Sequence, residues 1–461
     1  MIFERIHKIS NDKSQKMIYY GLVALMFLLP VPLLFLPDSE RGIGVQATLL
    51  TLAVFYVGFW IVAGRINGRF SMMKSGLAMK CIAGLILVGA VSVLTAYDKV
   101  RAFYGTELRS EGYLSLLAYY FIFVGTTMLQ REEYRKKLLH LFLLLGVIVA
   151  ILGVIQYTGI YVMGERFPGM GYVPMRNPNF YGAFTVLFTG VGIGGFFSYK
   201  KESDTTHPFR WWNRVLWYVL VLFGYAGCIC AKSTLVYAGL IMLLLMYLFL
   251  ELATKRWRLF SFLLLVAGLL LMIHVFNIQK KGDVVAEIKT VENQIKAEGS
   301  VTGDSVGSGR MRIWKSAISL LPKYGLLGCG IECLGAIWYT ETNVSFDGAT
   351  VDKVHNEYLN LWITEGFFAI VIYLVFLFSL FIPGLLLFFG KRGRDGGKEE
   401  EPARKQGKYD EISKIAFFAF FGYIAQAFFN ISVIQVAPYF WMICGLLYSR
   451  KRNMNEETMD C

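Results

Sequence analysis

Apolar residues run through this chain in blocks of about twenty, and most polar residues are confined to the short intervals between them. A helix rises about 1.5 Å per residue, so about twenty apolar residues cross a hydrocarbon core about 30 Å thick. Twelve blocks meet that requirement: 17–36, 43–64, 77–96, 113–130, 138–158, 179–199, 214–230, 233–253, 258–276, 357–389, 413–430 and 433–449. The pattern predicts an all-α polytopic membrane protein with about twelve transmembrane helices. Only Ala231 and Lys232 separate the seventh block from the eighth, and Gly366 and Pro383 are positioned to divide or bend the tenth.

One long polar stretch, Asn277 to Asn356, breaks the rhythm, and loops of that length are usually functional. Val284, Val285, Ile288, Val291 and Ile295 recur at helical spacing with Lys289, Glu292, Lys296 and Glu298 between them, which predicts an amphipathic helix on the membrane surface or over the bundle. After the small-residue run GSVTGDSVGSG, the segment RMRIWKSAISLLPKYG predicts a second helix whose stripe is Ile313, Trp314, Ala317, Ile318 and Leu321. Arg310 stands four residues before Trp314, so the two share a face. The stretch ends in VHNEYLNLWITEG, which delivers His355 to the mouth of the tenth block. The organisation expected is therefore helices one to nine over 1–276, a helical loop over 277–356, helices ten to twelve over 357–449 and a tail over 450–461. A Gly-rich, densely charged linker at 391–412 reads as solvated.

Charge settles the expected orientation. With the amino terminus in the cytoplasm, the inner segments hold 29 of the 46 Lys and Arg, the short outer loops 7 and the long loop 9. The positive-inside rule therefore places both termini in the cytoplasm and the 277–356 loop outside. The net charge of +13 is a topology signal, dispersed over inner segments that face anionic lipid head groups, and no folded basic domain exists to bind nucleic acid. Composition agrees: 56% hydrophobic, 16% aromatic and only 17% charged residues leave too much apolar surface for a water-soluble globule. The first block has a basic flank but no small-residue cleavage site, so it reads as a retained helix. Cys81, Cys228, Cys230 and Cys444 read as small buried hydrophobes. Cys329 and Cys333 are near enough in sequence to pair, but without a repeated CxxC or a histidine cluster no metal site is expected.

Four residues then fall on the outward side: Arg176 before NPNFYG, Lys232 in the tight turn between the seventh and eighth blocks, Arg310 in the loop, and His355. Each has a bland alternative. Arg310 can snorkel over Trp314, Lys232 can be an interfacial lysine, Arg176 can close the approach to the sixth block, and lone histidines at helix starts are mostly structural. His7, His140, His207 and His274 lie away from this group and carry the bland reading.

The ordered set RNPNFYGAF, CAKSTLVYAG, GSGRMRIWKSAISLLPKYGLLGCG and VHNEYLNLWITEGFFAI, over about 170–385, resembles the O-antigen ligase and polysaccharide polymerase family. The resemblance implies a GT-C-like glycosyltransferase at the outer face of the bacterial cytoplasmic membrane. It takes a glycan from an undecaprenyl-pyrophosphate donor and passes it to a hydroxyl of a glycan, lipid or protein acceptor, without a nucleotide sugar, cofactor or obligatory metal. A departing pyrophosphate needs directed cations beside low-dielectric hydrocarbon, and arginine's planar fork suits it.

On that resemblance Arg310 is the pyrophosphate-binding arginine, anchored by Trp314. Lys232 stands where the family usually has arginine, a departure that replaces a fork with a point charge. Arg176 is either the replacement fork or a cap, and Asn177 and Asn179 read as turn and cap residues. His355 is the catalytic base that accepts the hydroxyl proton. Asn356 orients its ring, Glu357 or Glu365 tunes it, and Asp347 and Asp352 are alternative carboxylates. Polymerase and ligase chemistries use the same residue types, and nothing in the sequence identifies a dedicated acceptor. The alternative class, a transporter or flippase of lipid-linked oligosaccharides, has against it the scarcity of charge within the blocks and the lack of a mid-membrane proton relay.

Overall fold

The computed structural model describes residues 11–36, 39–66, 76–160, 169–198, 211–254, 259–279, 283–299, 304, 309–344, 351–389 and 401–448. Among them every regular element is a helix. In chain order these are α1 (Asn11–Leu28), α2 (Val31–Phe35), α3 (Ser39–Ile66), α4 (Leu77–Thr95), α5 (Lys99–Tyr104), α6 (Tyr113–Thr127), α7 (Glu132–Tyr157), α8 (Pro178–Ser198), α9 (Trp211–Cys230) and α10 (Thr234–Ala253). They continue with α11 (Leu259–Gln279), α12 (Asp283–Glu298), α13 (Arg310–Ser319), α14 (Leu321–Tyr324), α15 (Leu334–Thr342), α16 (Glu357–Glu365), α17 (Phe367–Leu386), α18 (Glu401–Ala427) and α19 (Ala437–Tyr448). Nine helices among the described residues are long and apolar enough to cross a membrane, and α6 and α19 are shorter apolar helices.

The tenth block differs from the single span expected. It divides at Gly366, whose φ of +92° ends α16 and opens α17. The cause is a close backbone crossing: Phe367 N–H donates to Leu326 O at 3.2 Å, and a Cβ on Gly366 would lie 2.4 Å from that oxygen. Pro383 lies inside α17 and does not end it. The expected linker at 391–412 is also shorter, because α18 begins at Glu401; residues 390–400 lie outside the described residues. The α7 helix starts at Glu132, ahead of the expected 138, and Arg135 in its first turns is buried, donating to Leu446 O at 2.8 Å.

The bundle is organised around α8, whose spanning window is wholly buried. Its glycines permit backbone contact with α18: a Cβ on Gly190 would stand 2.5 Å from Ala419 Cα, and one on Gly194 would stand 2.7 Å from Ile415 O. Small residues at a crossing of apolar helices allow this close van der Waals packing where lipid offers no hydrophobic drive.

The 277–356 stretch is helical where periodicity placed helices, at α12 and α13, and adds α14 and α15. It has its own apolar core of Ile313, Ala317, Leu320, Leu334, Trp338 and Val354. Ile318, expected in the apolar stripe, is 54% exposed, and the buried face runs through Ile313, Ala317 and Leu320, spaced four and three residues apart. Most of GSVTGDSVGSG, and Asp347, lie outside the described residues. Cys329 and Cys333 are buried and unpaired, as are all cysteines among the described residues.

Candidate functional site

His355 sits in the short connection between the core of the long stretch and α16. Asn356 is the N-cap of α16, its Oδ1 accepting from Leu359 N–H at 3.0 Å, so its side chain serves the helix start. On the other side Val354 is held at both backbone groups: its N–H donates to Asn360 Oδ1 at 3.2 Å, and its carbonyl accepts from Trp314 Nε1 at 3.1 Å. Between these fixed neighbours His355 adopts φ +56°, a left-handed conformation that costs a side-chain-bearing residue on the order of 1–3 kcal/mol. Its Nδ1 is buried with no hydrogen-bond partner among the described residues.

Arg310 opens α13 directly after Gly309, whose φ of +78° turns the chain into the helix. Trp314, one turn on, packs edge-on to Phe428 at 5.7 Å and stacked on Phe429 at 6.1 Å, which docks α13 on the end of α18. Burial pushes the imidazole of His355 down to about 4; Arg310, Arg109 and Lys353 act in the same direction, and Asp352 opposes them. Burial draws the Arg310 guanidinium down to about 10, so it remains a cation at neutral pH. The pair is thus a neutral base beside a charged fork.

Two residues ahead of His355, Lys353 is 6% exposed. Its ammonium pairs with Glu111, with Glu332 at 3.0 Å, and donates to Ser432 O at 3.3 Å. Glu111 also accepts from Tyr119 OH at 3.0 Å and Ser432 Oγ at 2.6 Å, and Glu332 accepts from Thr106 Oγ1 at 2.9 Å. Burial opposes the charge on Lys353, but the two carboxylates raise its pKa above the ordinary lysine value. Next to it, Asp352 Oδ2 receives Arg109 Nε at 2.7 Å, and Arg109 lies 5.5 Å from the centre of the Phe180 ring. Sequence reasoning passed over Glu111, Glu332, Arg109 and Lys353, because charges in loops resemble solvated ones. The available signal was Glu111 immediately before the apolar run of α6.

Arg176 and Lys232 belong to an adjoining group. Arg176 (φ +57°) donates from Nε to Leu33 O at 3.1 Å and from its terminal nitrogen to Leu36 O. Lys232 (φ +46°) holds its ammonium 5.6 Å from the centre of the Tyr157 ring. Asn177 caps α8 by accepting from Asn179 N–H at 2.8 Å, whereas Asn179 was the expected cap. Asn179 instead joins the groups: its Oδ1 accepts from Ser233 Oγ at 2.8 Å, and its carbonyl accepts from Asn430 Nδ2 at 3.2 Å, two residues from Ser432. His355, Arg310, Trp314 and Asn356 therefore form one cluster, and Arg176 and Lys232 stand across the Asn179–Asn430 link from it. Arg176, Lys232, Glu332 and His355 are four of the six non-glycine residues with positive φ among the described residues, so backbone strain collects at this end of the bundle.

Residues 218–374 match the O-antigen ligase family. The resemblance read from the sequence is borne out over that stretch, which is about a third of the chain and is similar to the O-antigen ligase family. No curated protein matches the chain. The matched stretch takes in Lys232, Arg310, Trp314, Glu332, Lys353, His355, Asn356 and Glu365, while Arg109, Glu111 and Arg176 precede it.

A cavity of about 70 Å³ is lined by Glu111, Glu332, Lys353, Glu357, Glu365 and Tyr373, among others. Glu357 accepts from Tyr373 OH at 2.7 Å and Tyr423 OH at 3.1 Å, yet burial lifts its carboxyl to about 7. Glu365 is 5% exposed, and its Oε2 is buried with no hydrogen-bond partner among the described residues. Among those residues no group of three or more His, Cys, Asp and Glu is arranged to hold a metal ion.

Proposed function

We propose that the protein is a glycosyltransferase of the bacterial cytoplasmic membrane that moves a glycan from an undecaprenyl-pyrophosphate carrier to an acceptor hydroxyl at the outer face. The observation that carries this reading is the neutral His355 beside cationic Arg310 within the O-antigen ligase match. The nine long apolar helices, together with α6, α18 and α19, make up twelve spans in this reading, with both termini in the cytoplasm and His355 on the outer side.

The acceptor oxygen attacks the anomeric carbon as its proton passes to the imidazole of His355. The bond from that carbon to the pyrophosphate oxygen breaks, and the electron pair leaves with the lipid pyrophosphate, inverting the centre. Arg310 binds the leaving oxygens, and Lys232 and Arg176 supply further positive charge. These cations meet the electrostatic need directly, so the reading is metal-independent. The donor's own negative charge offsets Arg310 and Arg109, which raises the His355 pKa once substrate is bound and strengthens the base when it is needed.

We read the enzyme as a polymerase in preference to a ligase, since nothing in the sequence identifies a dedicated acceptor. Incubating the purified protein with lipid-pyrophosphate oligosaccharide and weighing the products decides the matter. A ladder of products supports polymerase, a single adduct on an added acceptor supports ligase, and vesicle transport of intact donor without a new bond refutes transfer.

A further inference from the structure

Lys353 and Asp352 immediately precede Val354 and His355, and both are tied to elements far away in sequence. Lys353 is held between Glu111, at the start of α6, and Glu332, before α15, with Ser432 O as a further ligand of the ammonium. Asp352 is held by Arg109 at 2.7 Å. Glu332 has φ +58°, and Ser110, beside Glu111, has φ +50°, so the carboxylates are presented from unusual backbone at both ends. A buried lysine with two carboxylates has only a narrow range of low-energy positions, because any displacement leaves a desolvated charge. The clamp therefore fixes the chain just ahead of His355, and the Asn356 cap fixes it just behind.

We propose that the Glu111–Lys353–Glu332 cluster, with the Arg109–Asp352 pair, is a positioning device that sets the His355 imidazole against Arg310. The inference rests on the reading of His355 as the proton acceptor. It also explains why a bundle helix that precedes the O-antigen ligase match contributes to the site: Glu111 leads into α6, and His355 leads into α16. These residues touch no reacting atom in this scheme and act through the histidine's backbone.

The test uses the full chain in lipid nanodiscs and the reaction of its histidines with diethyl pyrocarbonate, read peptide by peptide by mass spectrometry. His140, on α7 and away from the clamp, is the internal reference. Glu332→Gln and Lys353→Met are expected to raise the labelling of His355 relative to His140 several-fold, and Lys353→Arg to restore most of the protection. In a parallel transfer assay the two disruptive variants should lose kcat with donor KM little changed. Lys353→Met can fail to fold; Glu332→Gln keeps the Glu111 partner and is the milder break. An unchanged His355 to His140 ratio in Glu332→Gln overturns the proposal, as does a rise at every histidine together, which marks general unfolding. His355→Ala separates the two claims: normal transfer in that variant removes the catalytic reading, whereas an inactive His355→Ala beside an unaltered label ratio removes only the positioning role.

Discussion

The indole N–H of Trp314 donates to the carbonyl of Val354 at 3.1 Å, which ties the helix carrying Arg310 to the residue next to His355. The arginine and the histidine lie 45 positions apart in sequence (355 − 310), and this bond is a direct tie between their two segments. Trp314→Phe keeps a ring to pack against Phe428 and Phe429 but removes the donor. A hydrogen bond of this kind contributes about 1 kcal/mol net. Transfer activity is expected to fall about tenfold through misplacement, with thermal stability in detergent little altered. Wild-type activity in the purified variant would show that the coupling is carried elsewhere.

For His355 the expectation concerns pH. Burial and the neighbouring cations hold its pKa at about 4, so the free enzyme keeps a neutral imidazole far below the usual titration of histidine. The acid limb of kcat/KM should therefore fall near pH 4 to 5, and activity should remain level from about pH 6 to 8. Asp352→Asn removes a charge that raises this pKa and should move the limb further to acid. His355→Ala should abolish transfer while inserting normally. An acid limb near pH 6.5 would place the histidine in water.

Arg310→Lys retains the charge and loses the planar fork. If the guanidinium grips two phosphate oxygens, kcat should fall by about 10- to 100-fold even though the net charge is unchanged. An equal rate in donor-saturated assays would reduce Arg310 to a point charge.

The nine long apolar helices were legible because apolar blocks and helix length are linked by bilayer thickness alone, and α12 and α13 were legible because their apolar residues keep helical spacing. His355, Arg310 and Trp314 stood out through the order of motifs around them. What stayed hidden depends on the third dimension. In the sequence Lys353 and Arg135 are two among many Lys and Arg of the inter-helix segments, yet both are buried, the first between carboxylates and the second against Leu446 O. No sequence pattern joins Glu111 to Lys353, 242 positions away, since ion pairing between loops has no period. The break at Gly366 was half legible: the glycine marked a place where the helix can divide, but the reason is the carbonyl of Leu326 crossing beside it.

That crossing gives a stability test. Gly366 and Gly159 have similar φ, +92° and +98°, but a Cβ would meet Leu326 O at 2.4 Å at the first position and nothing within 4 Å at the second. Gly159→Ala should cost about 1 kcal/mol through backbone conformation alone. Gly366→Ala adds a clash with backbone and should cost more, on the order of 3 kcal/mol in total, with His355 mispositioned through α16. Equal melting temperatures for the two variants would show that the crossing is loose.

Glu357, two residues after His355, yields the last expectation. Burial raises its carboxyl from 4.5 to about 7, against the opposing pull of Tyr373 and Tyr423. The folded state therefore prefers the protonated form. Its contribution to stability is fully present below about pH 4.5, and it is lost as pH rises through about 7. Glu357→Gln imitates the neutral group at all pH values. Relative to wild type, its stability should rise between pH 4.5 and 7 and then level off, by on the order of 2–3 kcal/mol. Urea or thermal unfolding of both proteins across that range measures the difference directly. A gap that does not change with pH would mean that the Glu357 carboxyl titrates alike in the folded and unfolded states, its two tyrosine donors just offsetting burial.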